Sequence, residues 1–359
     1  MQIFVKIVSG TWKGIQKYFL DEKGNMDTMK TLTEGKLRGL KALSDENGVI
    51  SALAIDQRGS LKKMIGAASG HEASQKEIED FKVAVSSELT PYASGILLDP
   101  EYGIPAARVR DENAGLLTAY EKTGYDATEP GRFPDILDQW SVRKLKELGA
   151  DAIKFLLYYD ADEGEEINER KHAFIQRLGD ECKAEDIPFF LELVSYDANN
   201  DDVKGKEYAK VKPHKVIEMT KEFSKPEYGV DVLKLEVPVN QAYVEGFAEN
   251  DADVVYSKEE AAKYYKEQSD ATDLPFIFLS AGVSAELFQE ELQFAHDAGS
   301  KFNGVLCGRA TWRGAIEPFA GESEEVGRKW LQTQGKKNIE DLNKVLAKSA
   351  TPWFEKVQK

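Results

Sequence analysis

Three charged residues sit inside stretches that otherwise read as buried strands. "DVLKLEVPV" (231–239) carries Lys234 between two leucines, "DAIKFLLYY" (151–159) carries Lys154, and "PFFLELVSY" (188–196) carries Glu192. Alternate residues of a strand face opposite sides. Lys154 therefore shares a face with Ala152, Leu156 and Tyr158, Glu192 with Phe190 and Val194, and Lys234 with Val232 and Glu236. The opposite faces, such as Ile153/Phe155/Leu157, are wholly apolar and suit packing against helices. A buried ammonium needs a partner or gives up its proton. An ion pair that merely fixes strand register is the plain alternative, but buried pairs are weak stabilisers. Two lysines and a carboxylate in one small volume point instead to an amine nucleophile, because desolvation and a neighbouring cation both favour the free amine. Such an amine attacks a ketone to form a Schiff base, with Glu192 shuttling protons. This chemistry needs no metal and no cofactor. Spacing leaves open which lysine attacks; the other would hold a phosphate or tune its partner.

Further candidates lie just past other apolar runs. "AIDQRG" sets Asp56, Gln57 and Arg58 at the end of the first. "FLSAGVS" (278–284) and "LCGRATW" (306–312) end the last two, and supply Ser280, Gly282, Gly308 and Arg309. A hydroxyl, open backbone N–H groups and a guanidinium together make a phosphate cradle. Asp99 in "LLDPEYG" reads as a turn cap. The four histidines, His71, His172, His214 and His296, fall in helix-like or loop segments, whereas a zinc site draws on several clustered ligands. Cys307 reads as a small buried hydrophobe.

These residues need elements to hold them. Eight apolar runs recur from residue 50 onward, at 50–56, 94–99, 114–120, 151–159, 187–196, 230–239, 274–282 and 302–310. Amphipathic, helix-like stretches separate most of them, at 75–93, 135–150, 167–185, 215–225, 257–269 and 284–299. Strands alternating with helices predict a parallel sheet, and eight units predict an α/β fold of the (β/α)8 TIM-barrel class, with its site at the C-terminal strand ends. The competing open, doubly wound sheet lacks support, since no glycine-rich dinucleotide fingerprint comes after the first run. The link between the second and third runs is the weak point, with room for a short helix at most.

The 359 residues carry a formal net charge of −16, with 42% hydrophobic and 31% charged residues. That balance argues against nucleic-acid binding, which needs a basic surface. No apolar run reaches the ~18 residues that suggest a membrane span. Two cysteines, Cys182 and Cys307, form no CxxC pair, and the expected compartment is the cytoplasm. Residues 1–28 do not join smoothly to the chain after them, and read as an extension or leader ahead of a single barrel domain over 29–359.

The chain also resembles the tagatose-1,6-bisphosphate aldolases of bacterial lactose and galactose breakdown. The likeness runs from about Thr31 to the C-terminus and is carried by "GVISALAIDQRGSLK", "YASGILLDPEYGIPA", "AGLLTAYEKTGYD", "GADAIKFLLYYD", "DVLKLEVPVN", "LSAGVSAELFQ" and "FNGVLCGRATW". It implies a metal-independent class I aldolase that reversibly cleaves D-tagatose 1,6-bisphosphate to dihydroxyacetone phosphate and D-glyceraldehyde 3-phosphate, with relaxed stereospecificity towards other ketohexose bisphosphates. It also implies Lys234 as the Schiff-base lysine, Glu192 in proton transfer and Lys154 as the charge partner. Asp56, Gln57, Arg58, Ser280, Gly308 and Arg309 become substrate-binding residues, with Leu306 lining the site. The resemblance implies a homodimer or larger homo-oligomer as well. A sulfofructose 1-phosphate type of aldolase and a non-enzymatic regulatory barrel are the alternatives.

Overall fold

The apolar runs form eight short parallel strands: β1 (Ile50–Ala54), β2 (Gly95–Leu98), β3 (Gly115–Ala119), β4 (Ala152–Tyr159), β5 (Phe189–Ser195), β6 (Val232–Leu235), β7 (Phe276–Leu279) and β8 (Gly304–Cys307). Each pairs with its neighbours in sequence order, and β8 pairs back onto β1, so the sheet closes into a barrel. The computed structural model describes residues 30–122 and 129–358 of the chain. The expected extension over 1–28 therefore lies outside the described residues.

The alternation within each strand decides what faces in. Ala52, Ala54, Leu97, Leu117, Ala119, Ala152, Phe190, Val232, Ile277 and Leu306 form one buried apolar cluster inside the barrel. The other parity, including Phe155, Leu191, Leu233 and Phe278, packs outward against the helices. A slip of one residue would turn outward groups such as Phe155 and Phe278 into an interior that holds Ala52, Ala54, Ala119 and Ala152, so side-chain size helps to set the register.

Helices cover the barrel between most strands, at Gly59–Ser69 and Gln75–Leu89 after β1, Glu165–Ala184 after β4, Lys206–Phe223 after β5, Lys258–Asp270 after β6, and Ala285–Asp297 after β7. The weak link after β2 holds the six-residue helix Ile104–Val109, which starts with a proline in its first turn. Four expectations need correction. The stretch 135–150 is helical only over Val142–Glu147. Its first part is extended instead, since Leu137 N–H donates to Tyr120 O at 3.0 Å and Ile136 bridges to Glu121. Conversely, the helix expected from 215 begins at Lys206 and runs through Pro213, a residue that reads as a helix boundary in sequence. The runs ending at 239 and 310 also stop short as strands. After Leu235 the chain turns so that Glu236 accepts from Ser195 N–H at 2.7 Å, and Arg309 already opens a short helix, Arg309–Trp312.

Candidate active site

The inward parity of five strands ends in charge. Ala54 is followed two residues on by Asp56, Ala119 by Glu121, Ala152 by Lys154 and Val232 by Lys234, and Phe190 is likewise followed by Glu192. The interior apolar cluster is thus the floor beneath a layer of charges. Glu192 and Lys234 are register partners on β5 and β6. Glu192 bridges the two lysines, with Oε1 2.8 Å from Lys234 Nζ and Oε2 2.6 Å from Lys154 Nζ.

The two lysines are not equivalent. Lys154 meets three carboxylates: Glu192, Asp56 at 2.9 Å and Glu121 at 2.7 Å. Burial works against its charge, but Asp56, Glu121 and Glu192 overcome it and hold the ammonium well above the ordinary lysine range. Lys234, 4% exposed, has Glu192 as its ion-pair partner among the described residues. The carboxylates respond in kind. Burial would raise Asp56 and Glu192, yet Lys154 and then Lys234 outweigh it and hold both below the usual range. Glu121 goes the other way: burial, helped by the negative charge of Asp56, lifts it despite Lys154 and Arg58.

Above this layer opens a cavity of about 1000 Å³. It is lined by Asp56, Gln57, Arg58, Lys154, Glu192, Lys234, Ser280, Gly282, Leu306, Gly308 and Arg309, so the structure brings every site residue expected from the sequence to one place. At the ends of β7 and β8, Gly282 adopts φ +81°, and a Cβ there would lie 2.7 Å from an Arg309 guanidinium nitrogen. The left-handed backbone favours glycine here, and a side chain would displace the Arg309 guanidinium. Arg309 makes no ion pair among the described residues, so its charge is available to a ligand. Gln57 offers a buried side-chain oxygen with no partner, as a substrate hydroxyl would require. Arg58 is placed differently from a phosphate ligand. It is 4% exposed, and its guanidinium is taken up by Glu101 at 2.5 Å and by the Glu121 carbonyl at 2.9 Å.

A comparison of sequences fits this geometry. The profile of the DeoC/LacD family of aldolases matches residues 50–314. The chain is 66% identical over 330 residues to tagatose 1,6-diphosphate aldolase 2 of Enterococcus faecalis, covering 92% of this chain and 99% of that one. The chain belongs to the DeoC/LacD aldolase family. It is also 60% identical over 326 residues to the tagatose 1,6-diphosphate aldolase of Lactococcus lactis, covering 91% and 99% of the two chains. Among solved structures, a fructose-bisphosphate aldolase from Plasmodium falciparum superposes with a TM-score of 0.63 at 17% identity, over 88% of this chain and 96% of that one. An archaeal fructose 1,6-bisphosphate aldolase gives 0.51 at 16% identity, over 81% and 98%. At those identities the likeness concerns the barrel alone.

Several cavity residues escaped sequence reasoning, among them Glu121, Lys63 and Arg132. Glu121 was within reach, because Leu117, Ala119 and Glu121 show the same inward alternation that singles out Lys154. Lys63 and Arg132 come from a helix and a loop and give no such periodic signal. Arg132 stacks 4.6 Å over the Tyr196 ring. Asp99 is a turn cap as expected, accepting from Glu101 N–H at 3.0 Å and Tyr102 N–H at 2.8 Å, and it also pairs with buried Lys82. Cys307 is 3% exposed, and burial pushes its thiol up to about 11. His172 and His214 serve packing and pairing, with the His172 Nε2 3.0 Å from the Tyr159 hydroxyl and the His214 Nε2 2.8 Å from Asp162. No helix among the described residues is long and apolar enough to cross a membrane.

Proposed function

We propose that the protein is a class I aldolase that reversibly cleaves D-tagatose 1,6-bisphosphate to dihydroxyacetone phosphate and D-glyceraldehyde 3-phosphate. The observation that carries the mechanism is the Glu192 bridge, with one oxygen 2.8 Å from Lys234 and the other 2.6 Å from Lys154. Glu192, hydrogen-bonded to Lys234, takes its ammonium proton; the free amine attacks the C2 ketone, and Glu192 passes that proton to the new alkoxide while taking one from the nitrogen. The carbinolamine then loses water, with Glu192 returning a proton to the departing hydroxyl. The resulting iminium withdraws electrons from the C3–C4 bond. As the C4 hydroxyl gives its proton to a carboxylate, that bond breaks and glyceraldehyde 3-phosphate leaves. The enamine takes a proton at C3, and water releases dihydroxyacetone phosphate from Lys234.

Lys154 serves as the fixed cation, since three carboxylates hold its proton while Lys234 shares one. Glu121, braced by Arg58, positions Lys154 and also accepts from Leu156 N–H at 3.2 Å. Ser280, Gly282, Gly308 and Arg309 cradle one phosphate. The reading takes residues 29–359 as one catalytic unit, supported by the parallel pairing of Lys30–Thr31 with Val357–Gln358, which ties both ends of that span together. It also includes a cytoplasmic, homodimeric or larger enzyme, in keeping with two free buried thiols, Cys182 and Cys307.

The test is reductive trapping. Dihydroxyacetone phosphate with borohydride should add one reduced adduct, located on Lys234 by peptide mass. Absence of an adduct would overturn the Schiff-base mechanism, and an adduct on Lys154 would reverse the two lysine roles.

A further inference from the structure

Glu236 lines the cavity two residues beyond Lys234, where the chain leaves β6. Its carboxylate is pinned through one oxygen. Oε2 accepts from the Ser195 N–H at 2.7 Å and from the Ser195 hydroxyl at 2.6 Å, and that hydroxyl in turn accepts from the Tyr208 hydroxyl at 2.7 Å. The backbone is held as well, since the buried Gln268 amide donates to the Glu236 carbonyl at 2.8 Å. Ser195 and Tyr208 are both buried, so this clamp belongs to the barrel wall. Asp56, Glu121 and Glu192, the carboxylates of the layer below, each pair with Lys154. Glu236 is half-buried and makes no ion pair among the described residues, and its side-chain hydrogen bonds there all fall on Oε2. Oε1 is left to the cavity. Holding the end of β5 to β6 is the plain reading, but a neutral amide oxygen would accept both Ser195 bonds as well. A fixed carboxylate with one oxygen free defines instead a place for a hydrogen-bond donor, and a bond to a charged acceptor is the stronger kind.

We propose that Glu236 sets specificity for the aldehyde half of the substrate, with Oε1 accepting a hydrogen bond from the C5 hydroxyl of the ketohexose bisphosphate. The inference rests on the aldolase reading, with C2 bound at Lys234. Two residues of extended chain span about 6.6 Å, so Glu236 stands a few carbon–carbon bonds above the Schiff-base carbon. The substrate runs two ways from C2. The C1 side carries a phosphate ester and no hydroxyl, and a carboxylate repels it. The other side brings the hydroxyls of C3, C4 and C5. C3 adjoins the bound carbon, and the C4 hydroxyl gives up its proton as the bond breaks. The C5 hydroxyl alone keeps its proton at that distance throughout cleavage, which makes it the donor that Oε1 can hold in both directions of the reaction.

The test runs the reaction in the synthetic direction. Dihydroxyacetone phosphate is added either to D-glyceraldehyde 3-phosphate or to the same aldehyde without its C2 hydroxyl, the group that becomes the C5 hydroxyl of the product. The wild type should favour the hydroxylated aldehyde in kcat/KM at least about tenfold. Glu236→Gln keeps an acceptor for Ser195 but loses the charge, and should cut that preference at least about threefold. Glu236→Met should abolish it. A preference unchanged in both variants, with activity on the two aldehydes falling in parallel, would overturn the proposal and leave Glu236 as a strand clamp. A wild type without the preference would overturn it too. Borohydride trapping of dihydroxyacetone phosphate on the wild type involves no aldehyde half. An adduct on Lys234 beside an absent preference sinks the C5 contact alone, whereas absence of an adduct sinks the aldolase reading and the proposal with it.

Discussion

Replacing Lys154 with methionine removes the one cation that touches Asp56, Glu121 and Glu192 at 2.9, 2.7 and 2.6 Å. Glu192 keeps Lys234, and Glu121 keeps a 3.8 Å contact to Arg58, but Asp56 loses its ion-pair partner. Stranding a buried charge in this way costs about 3–5 kcal/mol, a large part of a typical total of about 5–15. Lys234→Met strands nothing, since Glu192 retains Lys154, and should cost about 1–2 kcal/mol. The pH dependence separates the two further. In the wild type, Asp56 and Glu192 sit below the usual range despite burial, because Lys154 and Lys234 attract them. Their contribution is present above the unfolded-state values and lost as pH falls through the depressed folded-state values. In Lys154→Met burial remains while the main cation is gone, so the carboxyls rise above the usual range and the sign reverses. That variant should gain more stability than the wild type on going from pH 7 to pH 5. Urea unfolding at several pH values, read by two spectroscopic probes, measures both effects. The reasoning fails if Lys234→Met is the more destabilised of the pair, or if Lys154→Met loses stability on going from pH 7 to pH 5.

Gly282→Ala should raise KM for phosphorylated substrates about tenfold or more while leaving the trapped adduct intact, because the added Cβ presses on the Arg309 guanidinium from a backbone at φ +81°; steady-state kinetics beside mass analysis of the adduct reads both. Glu291, lifted by burial to about 7, contributes stability that is fully present below the unfolded-state value near 4.5 and lost as pH rises through 7, so Glu291→Gln should outlast the wild type on the alkaline side by up to about 3 kcal/mol; parallel pH–stability curves for the two proteins would refute this.

Much of this arrangement is legible in the chain because strand periodicity is rigid. Apolar residues on both parities forecast a barrel wall buried on both sides, and a charge on the inward parity of such a wall must lie in the site. That argument finds Lys154, Glu192 and Lys234, and applied to "GLLTAYE" it also yields Glu121. What does not emerge is anything set by tertiary contact. Arg58 looks like a ligand for substrate until Glu101, from the next βα connection, is seen to occupy it. Lys212 lies in an ordinary amphipathic helix, interrupted on paper by Pro213, and nothing in its spacing tells that it enters the cavity. The segment 135–141 carries helical composition, but its start is drawn out along Tyr120 and Glu121 and the rest turns, with Trp140 N–H donating to Leu137 O at 3.1 Å.

The division of labour between the lysines rests on the number of partners each would leave behind. If Lys154 gave up its proton to become a nucleophile, three buried carboxylates would face a neutral amine, and Asp56 would lose its ion-pair partner among the described residues. If Lys234 gives up its proton, Glu192 is still held by Lys154, so no carboxylate is orphaned at any point in the cycle. Glu192 on the strand between them lets one charge be exchanged while the other stays fixed. The apolar floor of Ala54, Ala152, Phe190 and Val232 keeps water from screening these pairs from below. A one-residue slip of β6 would drive Lys234 into the outer cluster where Leu233 and Leu235 now pack against the helices, so the charge and the apolar faces together hold the register. The fold can therefore hold a proton-transfer site in which the Lys234 charge changes during turnover while Lys154 keeps Glu192 paired.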